Sequence, residues 1–244
     1  MFVIPCRYTG GSTPEEIKKS YVLKSVASMR RLHPDEKILV VDSNSEDTSY
    51  LESLNKINNV IGADAKNVNY LDGALWYALE NYPDEEWFCL LQDTITLKKD
   101  LYEFINGEEE FYSLMWWDEV IYEKDRNEMD WLDEMFDNYL PAYASRRPEI
   151  GYPETIKLAG CWGPCFVAKR SILERLKKNN LNLCLPVDKF GAQMAERLWS
   201  ICLGFEGVDV KANTIDGDFL KIALPRDHFN SKTIYHEKIY GGRP

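Results

Sequence analysis

Four places in this 244-residue chain carry side chains suited to chemistry on a charged small molecule. Cys6-Arg7-Tyr8, Asp42-Ser43 and Gln92-Asp93-Thr94 each follow directly on an apolar run. Glu196 stands in a helical stretch, off the stripe made by Met194, Leu198 and Ile201. A carboxylate at a strand end can give a hard oxygen to a divalent cation, or it can cap a turn. A carboxylate facing a cleft can take a proton from an attacking hydroxyl, or it can sit exposed and do nothing. Cys161-Trp-Gly-Pro-Cys165 spaces its thiols by three residues where the dithiol redox motif has two, so disulfide chemistry is not expected there. The six cysteines lie mostly in apolar segments and read as buried, reduced thiols.

The elements that position these groups are legible from pattern. Phe2 to Ile4 is a short apolar run closed by Pro5. Thr13-Pro14-Glu15-Glu16 predicts a capping box, with Ile17, Tyr21, Val22, Val26 and Met29 continuing one helix to a stop at His33-Pro34. Ile38 to Val41 and Trp87 to Leu91 are continuous apolar runs, as expected of strands covered on both faces. A short helix is expected around residues 47–57, and Leu71, Ala74, Leu75, Ala78 and Leu79 stripe another, closed by Pro83. Strand, helix, strand, helix, strand predicts an α/β fold with a central, mostly parallel sheet flanked by helices. Ligands of such sheets bind at the C-terminal strand ends, where the three polar groups would converge.

Residues 108–137 hold twelve Asp or Glu against Lys124 and Arg126, with Trp116, Trp117 and Trp131 among them. This stretch reads as a solvated acidic excursion with aromatic anchors, or as an aromatic wall for an acceptor. Order resumes in a strand over Gly160 to Ala168, then a second predicted capping box at Ser171 and Glu174 opens a helix to about Lys178. The helix carrying Glu196 is expected to stop at Gly204.

The formal net charge of −11 and the lack of a basic run exclude ordinary nucleic-acid binding. No apolar run reaches about 18 residues, and no basic segment followed by an apolar one opens the chain, so the expectation is no membrane span and a cytoplasmic location.

In order and spacing these motifs resemble the GT-A-fold glycosyltransferases, the nucleotide-diphospho-sugar transferase superfamily. The resemblance runs through Val3-Ile4-Pro5-Cys6-Arg7-Tyr8, Asp42, Asn69-Tyr-Leu-Asp72-Gly73, Leu90-Leu91-Gln92-Asp93-Thr94, Gly160 to Phe166, and Ala195-Glu196-Arg197 with Gly204. It implies a single GT-A (Rossmann-like) domain over 1–244. Residues 1–100 would form the nucleotide-binding half and 101–244 the acceptor-side half, with an acidic, aromatic-rich insert at about 106–158. It implies a glycosyltransferase moving a hexose-type sugar from a nucleoside diphosphate, such as UDP or GDP, to a glycan, protein or lipid acceptor. Pro5, Arg7, Tyr8, Asp42, Asn69, Asp72 and Asp93 would contact the nucleotide sugar, and Glu196 would be the catalytic base. Asp93 and the late His236 would hold Mn²⁺ or Mg²⁺; without metal, Arg226, Lys232, Lys238 or Arg243 would meet the diphosphate. The chain departs from the family in having Gln92-Asp93-Thr94 where Asp-x-Asp is typical, and Glu196-Arg197 where an acidic pair is typical. Those single carboxylates motivate a non-catalytic sugar- or nucleotide-binding module as an alternative. The loop Arg7-Tyr-Thr-Gly10-Gly11-Ser12 motivates a nucleotidyltransferase.

Overall fold

A computed structural model describes residues 1–66, 69–121, 126–150, 156–161, 163–217, 231–232 and 236–238. The elements, in order, are β1 (Phe2–Cys6), α1 (Pro14–Lys19), α2 (Tyr21–Leu32), β2 (Ile38–Asp42), α3 (Tyr50–Leu54), β3 (Val60–Ala63), α4 (Tyr70–Asn81), β4 (Trp87–Leu90) and β5 (Ile95–Leu97). Then come β6 (Phe111–Ser113), β7 (Trp116–Ile121), α5 (Arg126–Asn138), α6 (Pro141–Ala144), β8 (Ile156–Cys161), β9 (Phe166–Lys169), α7 (Arg170–Lys178), α8 (Lys189–Phe205), β10 (Ser231–Lys232) and β11 (His236–Lys238).

Six strands form the main sheet in the order β3-β2-β1-β4-β9-β6. The β3–β2, β2–β1 and β1–β4 pairs are parallel, while β9 runs antiparallel to both β4 and β6. Five strands therefore point one way and one is reversed, which is the mostly parallel α/β sheet expected. Every residue of β1 and β2 is buried. Alternate side chains go to opposite faces: Val3, Leu39, Val41 and Leu90 pack with α4, α7 and α8, and Phe2, Ile4, Ile38 and Val40 pack with α1, α2 and α3. The strands are continuously apolar because both faces need apolar cover. β7 and β8 form a separate antiparallel pair, and β10-β11-β5 a small third sheet.

Several expectations need correcting. The first helix is two: Ser20 ends α1 and caps α2, its Oγ accepting from the Leu23 amide at 3.3 Å. Val60 to Ala63 is an edge strand that the apolar pattern does not announce. The strand expected over 160–168 is two strands, β8 and β9, which join different sheets. The second capping box does not form. The helix starts at Arg170, whose guanidinium donates to the carbonyls of Leu79, Tyr82 and Glu85, while Ser171 Oγ donates to Glu110. α8 passes through Gly204 to Phe205, and the left-handed residue beyond it is Gly207 (φ 82°). The acidic stretch contains a packed helix, with Leu132 and Phe136 fully buried and Asp133 and Asp137 held by Arg147 at 2.6 and 2.8 Å. All six cysteines are buried and unbridged, as expected.

Candidate functional site

The register brings the C-terminal ends of β1 and β2 level: Cys6 pairs with Asp42, and the Ser43 amide donates to the Cys6 carbonyl at 2.7 Å. β4 lies on the other side of β1, with the Leu91 amide on the Val3 carbonyl at 3.0 Å. Asp93 therefore emerges beside Cys6, and both border one cavity of about 420 Å³. Its other walls are Arg7, Tyr8, Thr9, Gly10 and Gly11 from the loop after β1, Glu16 and Lys19 from α1, and Ser20, Tyr21, Val22 and Lys24 from the junction and α2.

The loop after β1 is fixed locally. The Thr13–Glu16 capping box forms as predicted. A Cβ on Gly10 would press on the end of the Tyr8 ring, and one on Gly11 on the Glu16 carboxylate, so a larger residue at either position would displace that side chain. Tyr8 Oη donates to the Gly11 carbonyl at 2.7 Å, and the Tyr8 amide donates to Ser45 Oγ at 2.8 Å. The Tyr8 ring stacks on Tyr50 (centroids 4.7 Å apart, planes 20°). Tyr50 Oη in turn donates to Asp42 Oδ1 at 2.9 Å, and Asp42 Oδ2 accepts from the Ser45 amide at 3.0 Å. Asp42 is buried at the strand end and does not line the cavity. Its carboxylate holds the Tyr50 ring that backs Tyr8.

The cavity walls carry three cations, Arg7, Lys19 and Lys24, against Glu16 and Asp93. Glu16 is engaged in the capping box, its Oε2 accepting from the Thr13 hydroxyl and, at 3.2 Å, from the Thr13 amide. Those hydrogen bonds hold its carboxyl below the ordinary range. The first turn of α2, also in the wall, adds the positive end of a helix dipole. A locally cationic cavity in a chain of net charge −11 is suited to an anion.

Glu196 lies outside this cavity but is joined to its edge. It is half-buried on α8, and its Oε2 accepts from the Gly163 amide at 3.3 Å. The Gly163 carbonyl accepts from Gln92 Nε2 at 3.0 Å. Gly163 has φ 60°, in the left-handed region that favours glycine. One residue thus links Gln92, the neighbour of Asp93, to Glu196. Ser200 Oγ, one turn on, accepts from the Cys161 amide at 3.3 Å and seats α8 on β8.

Of the predicted contacts, Arg7, Tyr8 and Asp93 line the cavity; Pro5, Asp42, Asn69, Asp72 and Glu196 do not. Asn69 precedes α4 without capping it, and its Nδ2 donates to the Pro186 carbonyl at 3.0 Å. Asp72 is buried and accepts from Trp199 Nε1 of α8. Burial pushes its carboxyl up to about 6, and the Trp199 hydrogen bond offsets only part of that. Residue 236 pairs with Leu97, and Lys238 takes the position nearer Asp93, opposite Ile95. The His236 side chain lies outside the described residues, as do Arg226 and Arg243. Among the described residues no three His, Cys, Asp or Glu side chains converge. Mg²⁺ commonly takes only one or two carboxylates and completes its shell with phosphate oxygens and water, so Asp93 alone is a compatible donor.

The sequence pattern does not single out Lys19, Lys24 or the Gly163 bridge. A signal for the lysines exists: with a capping box so soon after β1, α1 must fold back over the loop.

No protein-family profile and no curated protein matches the chain. Solved structures do align with it. S. aureus TarS 1-349 aligns over 80% of this chain and 54% of that one, with 12% identity and a TM-score of 0.42. Its complex with UDP gives the same coverage and identity at 0.43. Glucosyl-3-phosphoglycerate synthase from Mycobacterium tuberculosis, in complex with Mn²⁺, UDP-glucose and phosphoglyceric acid, aligns over 85% and 79% with 13% identity at 0.38. The chain thus spans about half the length of the TarS structure.

Proposed function

We propose that the chain is a glycosyltransferase that binds a nucleoside-diphosphate sugar at the C-terminal edge of the sheet and transfers the sugar to a hydroxyl acceptor. The observation that carries this reading is the cationic cavity formed by Arg7, Lys19, Lys24 and the first turn of α2, bordered by Asp93 and Tyr8. The diphosphate lies against the three cations and the helix end. The nucleoside lies along Tyr8, whose ring is held by Tyr50 and Asp42. Asp93 would hold a Mg²⁺ or Mn²⁺, which when bound offsets charge on the departing diphosphate. Glu196 accepts the proton of the acceptor hydroxyl as its oxygen bonds to the sugar's anomeric carbon. The bond from that carbon to the diphosphate breaks with its electron pair going to the phosphate oxygen. The Gly163 amide orients the Glu196 carboxylate.

The test is release of nucleoside diphosphate from a panel of UDP- and GDP-sugars in the presence of candidate acceptors. Turnover that falls by about 10²-fold or more in Glu196→Gln supports the reading. Turnover untouched by that substitution removes Glu196 from it. Tight nucleotide-sugar binding with no turnover against any acceptor supports the binding-module alternative.

A further inference from the structure

The sequence resemblance implies that Asp72 touches the nucleotide sugar, but its surroundings give it other work. It is buried in the first turn of α4, away from the cavity. Its Oδ1 accepts from Nε1 of Trp199, which lies 127 residues on in the sequence and three residues past Glu196 on α8. Three residues apart on a helix are neighbours on adjoining turns. Trp199 is itself wedged between two rings. It stacks on Trp76 of α4 (centroids 5.5 Å, planes 16°) and tilts against Phe166 of β9 (5.3 Å). The ring contacts are non-directional, and the bond to Asp72 adds a directional tie between the Trp199 indole and α4. A second tie runs alongside: Asn69 Nδ2 holds the Pro186 carbonyl in the segment leading into α8. The start of α4 thus holds α8 at Trp199 and the segment before α8 at Pro186, on either side of Glu196 in sequence.

We propose that Asp72 is a positioning residue: through Trp199 it sets the rotation and depth of α8, and so the placement of the Glu196 carboxylate on the Gly163 amide. The catalytic consequence rests on the glycosyltransferase reading; the positioning itself does not. A rotation of α8 that moves Glu196 by about 1 Å is enough to cost about 10²-fold in rate. The positioning needs an acceptor atom at Oδ1 and not a charge. Asp72→Asn presents an amide oxygen there and keeps the geometry, while Asp72→Ala removes the acceptor. Trp199→Phe removes the donor and keeps most of the ring packing.

The test reads amide hydrogen exchange at Gly163 alongside steady-state kinetics, on Asp72→Ala, Asp72→Asn, Trp199→Phe and the Asp72→Ala/Trp199→Phe double variant. Exchange at Gly163 should quicken by about tenfold or more in Asp72→Ala and Trp199→Phe, and by no more in the double variant, because both remove one bond. Asp72→Asn should exchange no faster than the parent. In the kinetics, kcat should fall by about 10- to 100-fold in Asp72→Ala while the KM for the donor stays within about twofold. Unchanged exchange at Gly163 in Asp72→Ala and Trp199→Phe would overturn the proposal. So would a rise in donor KM at constant kcat, which would make Asp72 a ligand contact. If the parent protein transfers no sugar, the functional reading fails by itself, and the exchange data still decide whether Asp72 positions Glu196.

Discussion

Replacing Asp72 by Asn should stabilise the protein at neutral and alkaline pH and leave it nearly unchanged in acid. Burial among Trp199, Cys184 and the α4–α8 interface raises the carboxyl from its ordinary value of 3.8 to about 6. The hydrogen bonds from Trp199 and from the Asp72 backbone pull the other way and lose, because two donors do not replace the water stripped from a carboxylate. At about 1.4 kcal/mol per pH unit, the displacement amounts to about 3 kcal/mol. A raised value means that the folded protein prefers the protonated form, so the stability from this site is complete below about 3.8 and is lost as pH rises through about 6. Asn is neutral at every pH and keeps an oxygen for Trp199, so it escapes that loss. Urea unfolding of parent and Asp72→Asn at pH 8 should differ by up to about 3 kcal/mol in favour of the variant, and at pH 4 by only about 0.6 kcal/mol. A variant less stable than the parent at pH 8, or a difference that does not change with pH, would refute the reasoning.

Tyr50→Phe removes the hydroxyl that donates to buried Asp42, and should cost about 1–3 kcal/mol in urea unfolding; no loss would mean that Asp42 is satisfied without it. Arg175 grips Glu110, at 2.6 and 3.1 Å, and holds its carboxyl down at about 2. The pair is partly exposed, so Arg175→Met should cost only about 0.5–1 kcal/mol at pH 7. That depressed carboxyl stabilises above about 4.5, so the Glu110 share of the cost should fade as pH drops towards 2. Lys19→Ala and Lys24→Ala should each weaken nucleoside-diphosphate binding by about tenfold and flatten its salt dependence, measured by titration calorimetry. Asp93→Ala should abolish any dependence of nucleotide binding on Mg²⁺ or Mn²⁺; a metal dependence that survives would place the ion elsewhere.

Local chemistry was legible in the sequence and distant partnership was not. The Thr13–Glu16 capping box could be read because all of its atoms lie within one turn. The apparent box at Ser171 had the same letters, yet Arg170 took the helix start because three carbonyls 85 to 91 residues earlier accept its guanidinium. Continuous apolar runs gave β1, β2 and β4, since burial on both faces leaves no alternation to misread. They did not reveal that 156–169 divides between two sheets, because the division sits in the turn around left-handed Gly163. Strand-end position drew attention to Asp42 and Asp93 alike, but only Asp93 borders the cavity. Asp42 is turned inward by Tyr50, and nothing in Asp42-Ser43 says that a tyrosine eight residues on will claim its carboxylate.

Thermal unfolding against a panel of nucleoside diphosphates tests the central claim, an anion-binding nucleotide site at the sheet edge. A ligand at about 100 times its Kd stabilises the folded state by about 2.7 kcal/mol. For a chain of this length that is a rise in Tm of about 5–10 °C. The account predicts such a rise with UDP or GDP, and its loss in Arg7→Ala. No rise with any nucleoside diphosphate, or a full rise that survives both Arg7→Ala and Lys19→Ala, would contradict it.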